Sequence, residues 1–279
     1  MENNKVWFIT GASKGLGLEL AKKLLAEGFK VAATSRNEAS LSAALGKASE
    51  NFLPLEMDLV DEKSVKTAID RAVNHFKTID VLVNNAGYGL LGALEELTDV
   101  EARKNYEVNV FGLLNVIRNA MPILRANQSG HIFNISSVGG YYGEFPGWGI
   151  YCSTKFAVAG LTESLAAEIK PFGVHATIVY PGYFRTDFLK DSSLLVPENP
   201  IAEYKEVRKS ESAHKDDINE NQPGDPVKLA EALIKVSQDQ NPPLHLFLGE
   251  DAFNMANQKI ASVQKELEGW KSVSVSTGF

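Results

Sequence analysis

Three features of this sequence predict a doubly wound α/β fold, with one parallel sheet and helices on both faces. Short apolar runs alternate with amphipathic stretches from the start of the chain. A glycine cluster sits between the first run and the first amphipathic stretch. No internal repeat or linker breaks the rhythm, so residues 1–279 read as one domain. Such alternation builds βαβ units, and right-handed crossovers leave few ways to stack them.

The first strand is expected over residues 6–9 and the first helix over 16–27. Between them lies Thr10-Gly11-Ala12-Ser13-Lys14-Gly15-Leu16-Gly17. Glycine at 11, 15 and 17 permits a tight turn and a close backbone approach to a pyrophosphate, whose charge the helix N-terminus favours. The spacing is G-x3-G-x-G, and the strand–glycine–helix context is the one a dinucleotide loop requires. The second strand, 30–34, runs into Ser35-Arg36-Asn37-Glu38. An acid at this strand end would bind the ribose 2′-OH of NAD. Arg36 instead suits a 2′-phosphate, and Lys14 adds a second cation. NADP(H) is therefore expected as cofactor, with NAD as the alternative; Glu38 fits the first turn of a helix.

Strands are next expected over 52–55 and 81–83, flanking a helix over 62–76. The latter strand ends in Asn84-Asn85-Ala86-Gly87, small and amide residues suited to a flat ligand. A helix over 100–124 precedes a strand over 131–135, which ends in Asn134-Ile135-Ser136-Ser137. Ligands of open α/β sheets bind beyond such carboxyl ends. The helix over 151–170 opens with Tyr151-Cys152-Ser153-Thr154-Lys155. Its spacing puts a phenol and an ammonium on one helix face. A nearby cation favours the phenolate, so the pair reads as a tuned acid/base. The strand over 175–179 ends in Pro181-Gly182-Tyr183-Phe184-Arg185-Thr186, which offers backbone and the Thr186 hydroxyl to a cofactor amide. A helix over 226–238 and a strand over 244–248 complete the alternation.

Two segments depart from it. Residues 188–225 are polar, charged and proline-containing, as expected of a substrate lid, with the stretch 205–220 as a solvated face. Residues 249–279 are expected to form a helical extension. Aromatic and apolar residues near the strand ends give the pocket walls: Tyr141, Tyr142, Phe145 and Trp148, then Tyr88, Leu90 and Leu91, then Phe184, Phe188 and Leu189. They favour a small hydrophobic carbonyl or alcohol as substrate.

Composition narrows the class. Apolar residues make up 44% of 279, ample for a core, and no run is long enough to span a membrane. A formal charge of −7 argues against nucleic acid as a partner. One cysteine and a start without an apolar leader favour a cytoplasmic protein. The five histidines show no metal spacing, and no G-x-S-x-G occurs.

In combination and in this order, Thr10-Gly-x3-Gly-x-Gly17, Asn84-Asn-Ala-Gly87, Asn109, Ser137, Tyr151-x3-Lys155 and Pro181-Gly182 resemble the short-chain dehydrogenase/reductase family over roughly residues 5–190. The resemblance implies a single-domain, Rossmann-like fold with a seven-stranded parallel sheet. It implies that Tyr151 is the general acid/base and that Lys155 lowers its pKa and holds the nicotinamide ribose. Ser137 would position the substrate oxygen, and Asn109 would sustain a water-linked proton relay to Lys155. Asp58, with Leu59 beside it, matches the adenine contact. Asn85, Ala86 and Gly87 would line the cofactor cleft, and Thr186, after Pro181 and Gly182, would meet the carboxamide.

Two departures stand out. The Ser137-to-Tyr151 spacing is one residue longer than is common in the family, so Ser136 or Ser137 faces inward; Ser137-Val138-Gly139-Gly140 favours the latter. The C-terminal part looks like the retinol- and 17β-hydroxysteroid-dehydrogenase-like branch. The expected function is NADP(H)-dependent interconversion of a carbonyl compound and its alcohol, in a homo-oligomer paired through the helices from Val100 and Tyr151. A nucleotide-sugar epimerase or dehydratase is disfavoured by the compact length. A redox sensor without turnover is disfavoured by the intact Asn109, Ser137, Tyr151 and Lys155.

Overall fold

Strand β1 (Val6–Ile9) is buried on both faces, as a central parallel strand must be. Val6 and Phe8 join one apolar cluster, and Trp7 and Ile9 join another on the opposite side. The computed structural model describes residues 4–279, so residues 1–3 of the expected domain lie outside it. After β1 come α1 (Gly15–Ala26), β2 (Lys30–Ser35), α2 (Glu38–Leu45), β3 (Phe52–Glu56), α3 (Glu62–Phe76), β4 (Val81–Asn84) and the short β5 (Gly89–Leu90). Then follow α4 (Asp99–Tyr106), α5 (Leu113–Asn127), β6 (Gly130–Ile135), α6 (Gly149–Ile169), β7 (Val174–Pro181), the short β8 (Leu194–Leu195) and α7 (Lys205–Ser212). The chain closes with α8 (Pro226–Ser237), β9 (His245–Leu248), α9 (Glu250–Gly269) and α10 (Lys271–Ser274).

Seven parallel strands pair in the order β3-β2-β1-β4-β6-β7-β9. Helices α1, α2 and α8 cover one face and α3, α5 and α6 the other. This is the Rossmann-like doubly wound architecture. Each large side chain removed from water contributes about 1.5–3 kcal/mol, and Trp7, Phe8, Phe133 and Ile9 are all fully buried. The strand order reverses at β1 and β4, which opens a crevice at their carboxyl ends.

All seven strand-like runs are strands of this sheet. The helix expected over 100–124 is interrupted: α4 and α5 are joined by a π-helical segment, Glu107–Gly112, that carries Asn109. The helix whose first turn suits Glu38 is α2. Asn37 caps it by accepting from the Ala39 N–H at 2.8 Å, and Glu38 occupies its first turn.

The 188–225 insertion is fastened at several points. β8 pairs in parallel with β5, and Glu96 holds the far end. That carboxylate, fully buried, accepts from the Ala93 and Ile201 N–H groups and from Arg208 Nη2 at 2.6–2.9 Å. Val207 and His214 turn inward, so the stretch 205–220 is not merely a solvated face. The helical extension over 249–279 is present as α9 and α10; Ala252 and Ala256 are buried, while Ile260, Leu267 and Trp270 are exposed.

Candidate active site

One cavity of about 770 Å³ runs from the glycine loop, across the carboxyl ends of the sheet, to the underside of the insertion. At the switch point Thr10 stitches β1 to β4: its Oγ1 accepts from the Asn85 and Ala86 N–H groups at 3.0 Å each. Asn85 Nδ2 in turn donates to the Thr10 and Gly11 carbonyls at 2.9 and 3.1 Å. These bonds leave the backbone of Gly11 and Ala86 touching. A Cβ on Gly11 would lie 2.8 Å from Ala86 Cα, at a φ of +66° that only glycine adopts cheaply. Ser13, Lys14, Gly15 and Leu16 line the cavity at the amino end of α1, where backbone N–H groups face it. Gly17 does not line it. A Cβ there would sit 2.5 Å from Asn85 Nδ2, so its smallness lets α1 pack against the loop rather than meet a ligand.

Arg36, Asp58 and Leu59 line the end nearest β2 and β3. Asp58 accepts from the Val60 N–H at 3.1 Å, which fixes the turn after β3. Arg36 is exposed and its charge reaches Lys14. Lys14 Nζ crosses the cleft to the Ser192 carbonyl and hydroxyl at 3.0 and 3.1 Å. Partial burial lowers its pKa, Asp187 opposes that, and Arg36 adds to it.

Pro181, Gly182 and Thr186 line the opposite wall. An unforeseen group holds this loop: Asp251, in the first turn of α9, accepts from the Tyr183 N–H at 2.7 Å. A Cβ on Gly182 would collide with that carboxylate at 2.2 Å. The sequence signal was an acid in the first turn of a helix directly after a strand. Thr186 Oγ1 accepts from the Phe188 N–H and so starts the next turn.

Ser137, Tyr151 and Lys155 meet in the middle of the cavity. The neighbouring serines divide their tasks. Ser136 Oγ is buried and donates to the Lys155 carbonyl at 2.8 Å, while the Ser137 hydroxyl bonds the Tyr151 phenol. Both serines line the cavity, and Ser137 is the one that meets the Tyr151 phenol. Lys155 Nζ donates to the Ile135 carbonyl at 2.9 Å and lies 5.7 Å from the centre of the Tyr151 ring. The expected depression of the Tyr151 pKa is reversed here. Burial pushes the phenol above its ordinary value, and the Ser137 hydrogen bond pulls only partly back. Burial likewise drops Lys155 to about 8, which weakens the cation meant to favour the phenolate.

Asn109 sits on the π-helical segment between α4 and α5. It is buried behind the cavity wall; its Oδ1 accepts from the Tyr88 N–H at 3.1 Å, and its Nδ2 donates to the Tyr88 carbonyl and Thr154 Oγ1. A Cβ on Gly87 would fall 2.9 Å from Asn109 Oδ1 and 3.5 Å from Lys155 Nζ, so glycine is what lets these two side chains approach.

Of the expected pocket walls, Tyr88, Phe145, Trp148, Phe184, Phe188 and Leu189 do line the cavity. Tyr141, Tyr142, Leu90 and Leu91 do not; Tyr141 packs edge-on to Phe247 instead. Sequence reasoning missed Tyr183, His214 and Gln222, which the insertion and its neighbouring loop bring to the far end. Among the described residues, no group of His, Cys, Asp and Glu side chains could hold a metal ion, and no helix is long and apolar enough to cross a membrane.

Comparison with known proteins agrees with this geometry. The model of the family described as short chain dehydrogenase matches residues 5–194. Oxidoreductase BOA17 of Botryotinia fuckeliana is 35% identical over 98% of this chain and 99% of its own. A 3-ketodihydrosphingosine reductase of Bacteroides thetaiotaomicron is 34% identical over 88% of each chain. Among solved structures, a short-chain dehydrogenase from Streptomyces avermitilis superposes with a TM-score of 0.88 at 35% identity, over 98% of this chain and all of the other. Two further structures contain the cofactor. A 3-ketoacyl-(acyl-carrier-protein) reductase from Brucella melitensis is complexed with NADH (25% identity, TM-score 0.74, covering 89% and 98%). A short chain dehydrogenase from Burkholderia cenocepacia is complexed with NADP (26%, 0.73, covering 96% and 98%). With its fold, glycine-lined crevice and matched sequence taken together, this chain belongs to the short-chain dehydrogenase family of nicotinamide-dependent oxidoreductases.

Proposed function

We propose that the protein interconverts a hydrophobic carbonyl compound and its alcohol with NADP(H), using Tyr151 as the general acid/base. One observation carries this: a phenol, a hydroxyl and an ammonium converge where a glycine-lined cleft and an apolar pocket become one cavity. The touching backbone at Gly11 and Ala86 and the open α1 terminus fit a pyrophosphate. When bound, the nicotinamide gives or takes a hydride.

The protein's own groups manage position and protons. Ser137 and Tyr151 would hold the substrate oxygen, and Tyr151 would deliver or remove its proton. A phenol held above its ordinary pKa favours the protonated form, which suits proton delivery during carbonyl reduction. Lys155, charged below about pH 8, would place a positive charge near the developing oxyanion. Asn109 would act through the Tyr88 backbone and Thr154 to hold the loop and the helix that flank Lys155. Lys14 and Arg36 favour NADP(H) over NAD(H), being two cations at one end of the cleft. Phe188, Trp148 and Leu189 give the substrate an apolar bed, and the sphingoid ketone named for the Bacteroides relative is of that kind.

A cytoplasmic setting fits the single, buried thiol of Cys152. A homo-oligomer fits the exposed Phe111 and Phe156, which sedimentation would test. The decisive test is Tyr151→Phe. NADPH oxidation against aliphatic and cyclic ketones should fall at least about 1,000-fold while NADPH still binds. Wild-type turnover in this variant would defeat the assignment.

A further inference from the structure

The far end of the cavity is not uniformly apolar. Gln222 is only 2% exposed and lines the cavity, yet among the described residues neither Oε1 nor Nε2 has a hydrogen-bond partner. Trp148 is 5% exposed and lines the same cavity, and its Nε1–H is also unpartnered. Buried polar groups are almost always paired, so two such side chains in one pocket call for a ligand that pairs them. Loose packing does not explain them. Gln222 is fixed by its own backbone, whose carbonyl accepts from Arg185 Nη2 at 3.2 Å. Trp148 is wedged between the Tyr151 ring at 5.5 Å and the His214 ring at 4.8 Å.

The neighbouring polar pair does not supply the missing partner. His214 Nδ1–H donates to the Ser210 carbonyl at 2.7 Å, so Nε2 carries the lone pair and accepts the Tyr183 hydroxyl at 2.9 Å. Burial keeps His214 neutral. This end of the pocket thus offers donors and an acceptor without a formal charge. An ionic group would be buried there unpaired, at high cost. A purely hydrocarbon tail would leave both side chains stranded.

We propose that the substrate carries a second, neutral oxygen function, a hydroxyl or carbonyl remote from the reacting carbon, and that Gln222 and the Trp148 indole N–H recognise it. This rests on the carbonyl–alcohol function proposed above and narrows its substrate to bifunctional apolar molecules. Trp148 touches the Tyr151 ring on one side and the His214 end of the pocket on the other, so it spans the distance between reacting and recognised groups. Sites built to bond a substrate hydroxyl reject the analogue lacking it, because their own polar groups then stay unpaired.

The test uses the full chain with NADPH and matched ketones: 2-alkanones of six to twelve carbons, each with and without an ω-hydroxyl. The wild type should prefer the hydroxylated partner by about 10- to 100-fold in kcat/KM at one or more lengths, mainly through KM. In Gln222→Leu that ratio should collapse toward one, and Trp148→Phe, which removes the N–H but keeps an aromatic ring, should reduce it. The second variant decides the matter if the first does not fold. A ratio near one in the wild type at every length, or an equal ratio in wild type and variants, overturns the proposal. If simple ketones are turned over without preference, the carbonyl–alcohol function stands and this inference alone falls. If no ketone of either kind reacts while NADPH binds, the catalytic assignment fails and takes this inference with it.

Discussion

The floor of the cavity and its roof are held by different means. The floor is stitched locally: the Thr10 hydroxyl and the Asn85 side-chain amide bond backbone groups across two adjacent strand ends. The roof is moored at a distance. Glu96 reaches over a hundred positions along the chain to Ile201 and Arg208, and β5 pairs with β8. A floor stitched within one pair of adjacent strand ends serves a cofactor whose shape is constant. A roof moored by side chains can change its lining without disturbing that floor, which suits the part that chooses a substrate.

The sharpest way to break this contrast is at Gly11. Gly11→Ala forces a Cβ against Ala86 and an L-residue into a left-handed conformation, itself costing about 1–2 kcal/mol. Cofactor affinity should drop about 100-fold or more by fluorescence titration, with the roof unaltered. Glu96→Ala breaks the other half. It strands Arg208 and the Ala93 and Ile201 N–H groups, and should cost about 2–3 kcal/mol in denaturant unfolding, toward the low end for buried pairs because Arg208 is partly exposed. KM for apolar ketones should rise while the cofactor Kd changes by less than about 2-fold. Lys14→Met probes a side chain that joins floor to roof. NADPH binding should weaken about 10-fold and NADH binding little.

The smallest effect contrasts two buried histidines. His131, in the sheet, donates to Thr177 Oγ1, and burial lowers its pKa to about 3. The unfolded chain takes up that proton below about 6.5 and the native protein does not. Stability should therefore fall between pH 6.5 and 3, by at most about 1.4 kcal/mol per pH unit. His214, in the roof, is lowered by burial but partly restored by its bond to the Ser210 carbonyl, so it should contribute less. His131→Phe should flatten the slope of acid unfolding more than His214→Phe does.

The same contrast explains what could be read from residues alone. Every sheet strand was legible, because burial on both faces demands continuous apolar runs. The glycine loop, Asn85-Ala86-Gly87 and Tyr151-x3-Lys155 were legible as well, since each is a short stretch with a geometric reason for its spacing. Gly17 was assigned to the cofactor, yet it serves packing against Asn85, a contact between two separate loops. Helix α2 was legible only at its start, where Glu38 suits a first turn, because only Leu41 of its eight residues is buried, which leaves almost no apolar periodicity. The inward face of α7 and of the π-helical turn after it, with Val207 and His214, depends on the mooring at Glu96, and the charged sequence gave no sign of that. Tyr151 was expected to be made acidic by Lys155, a conclusion drawn from charge alone. The dryness that raises the phenol belongs to the assembled roof, with Trp148 and Phe188 against its ring.

The anchoring of the loop after β7 has a consequence for how the chain becomes competent. Gly182 donates its N–H to the Leu248 carbonyl, and Tyr183 donates to Asp251. Both acceptors lie more than 200 residues downstream of the glycine loop, at positions 248 and 251. A ribosome-bound chain therefore has its phosphate loop long before it has a finished cleft. The finished cleft waits for β9 and the start of α9, and a stop before β9 would remove a sheet strand and leave one wall of the cleft untethered.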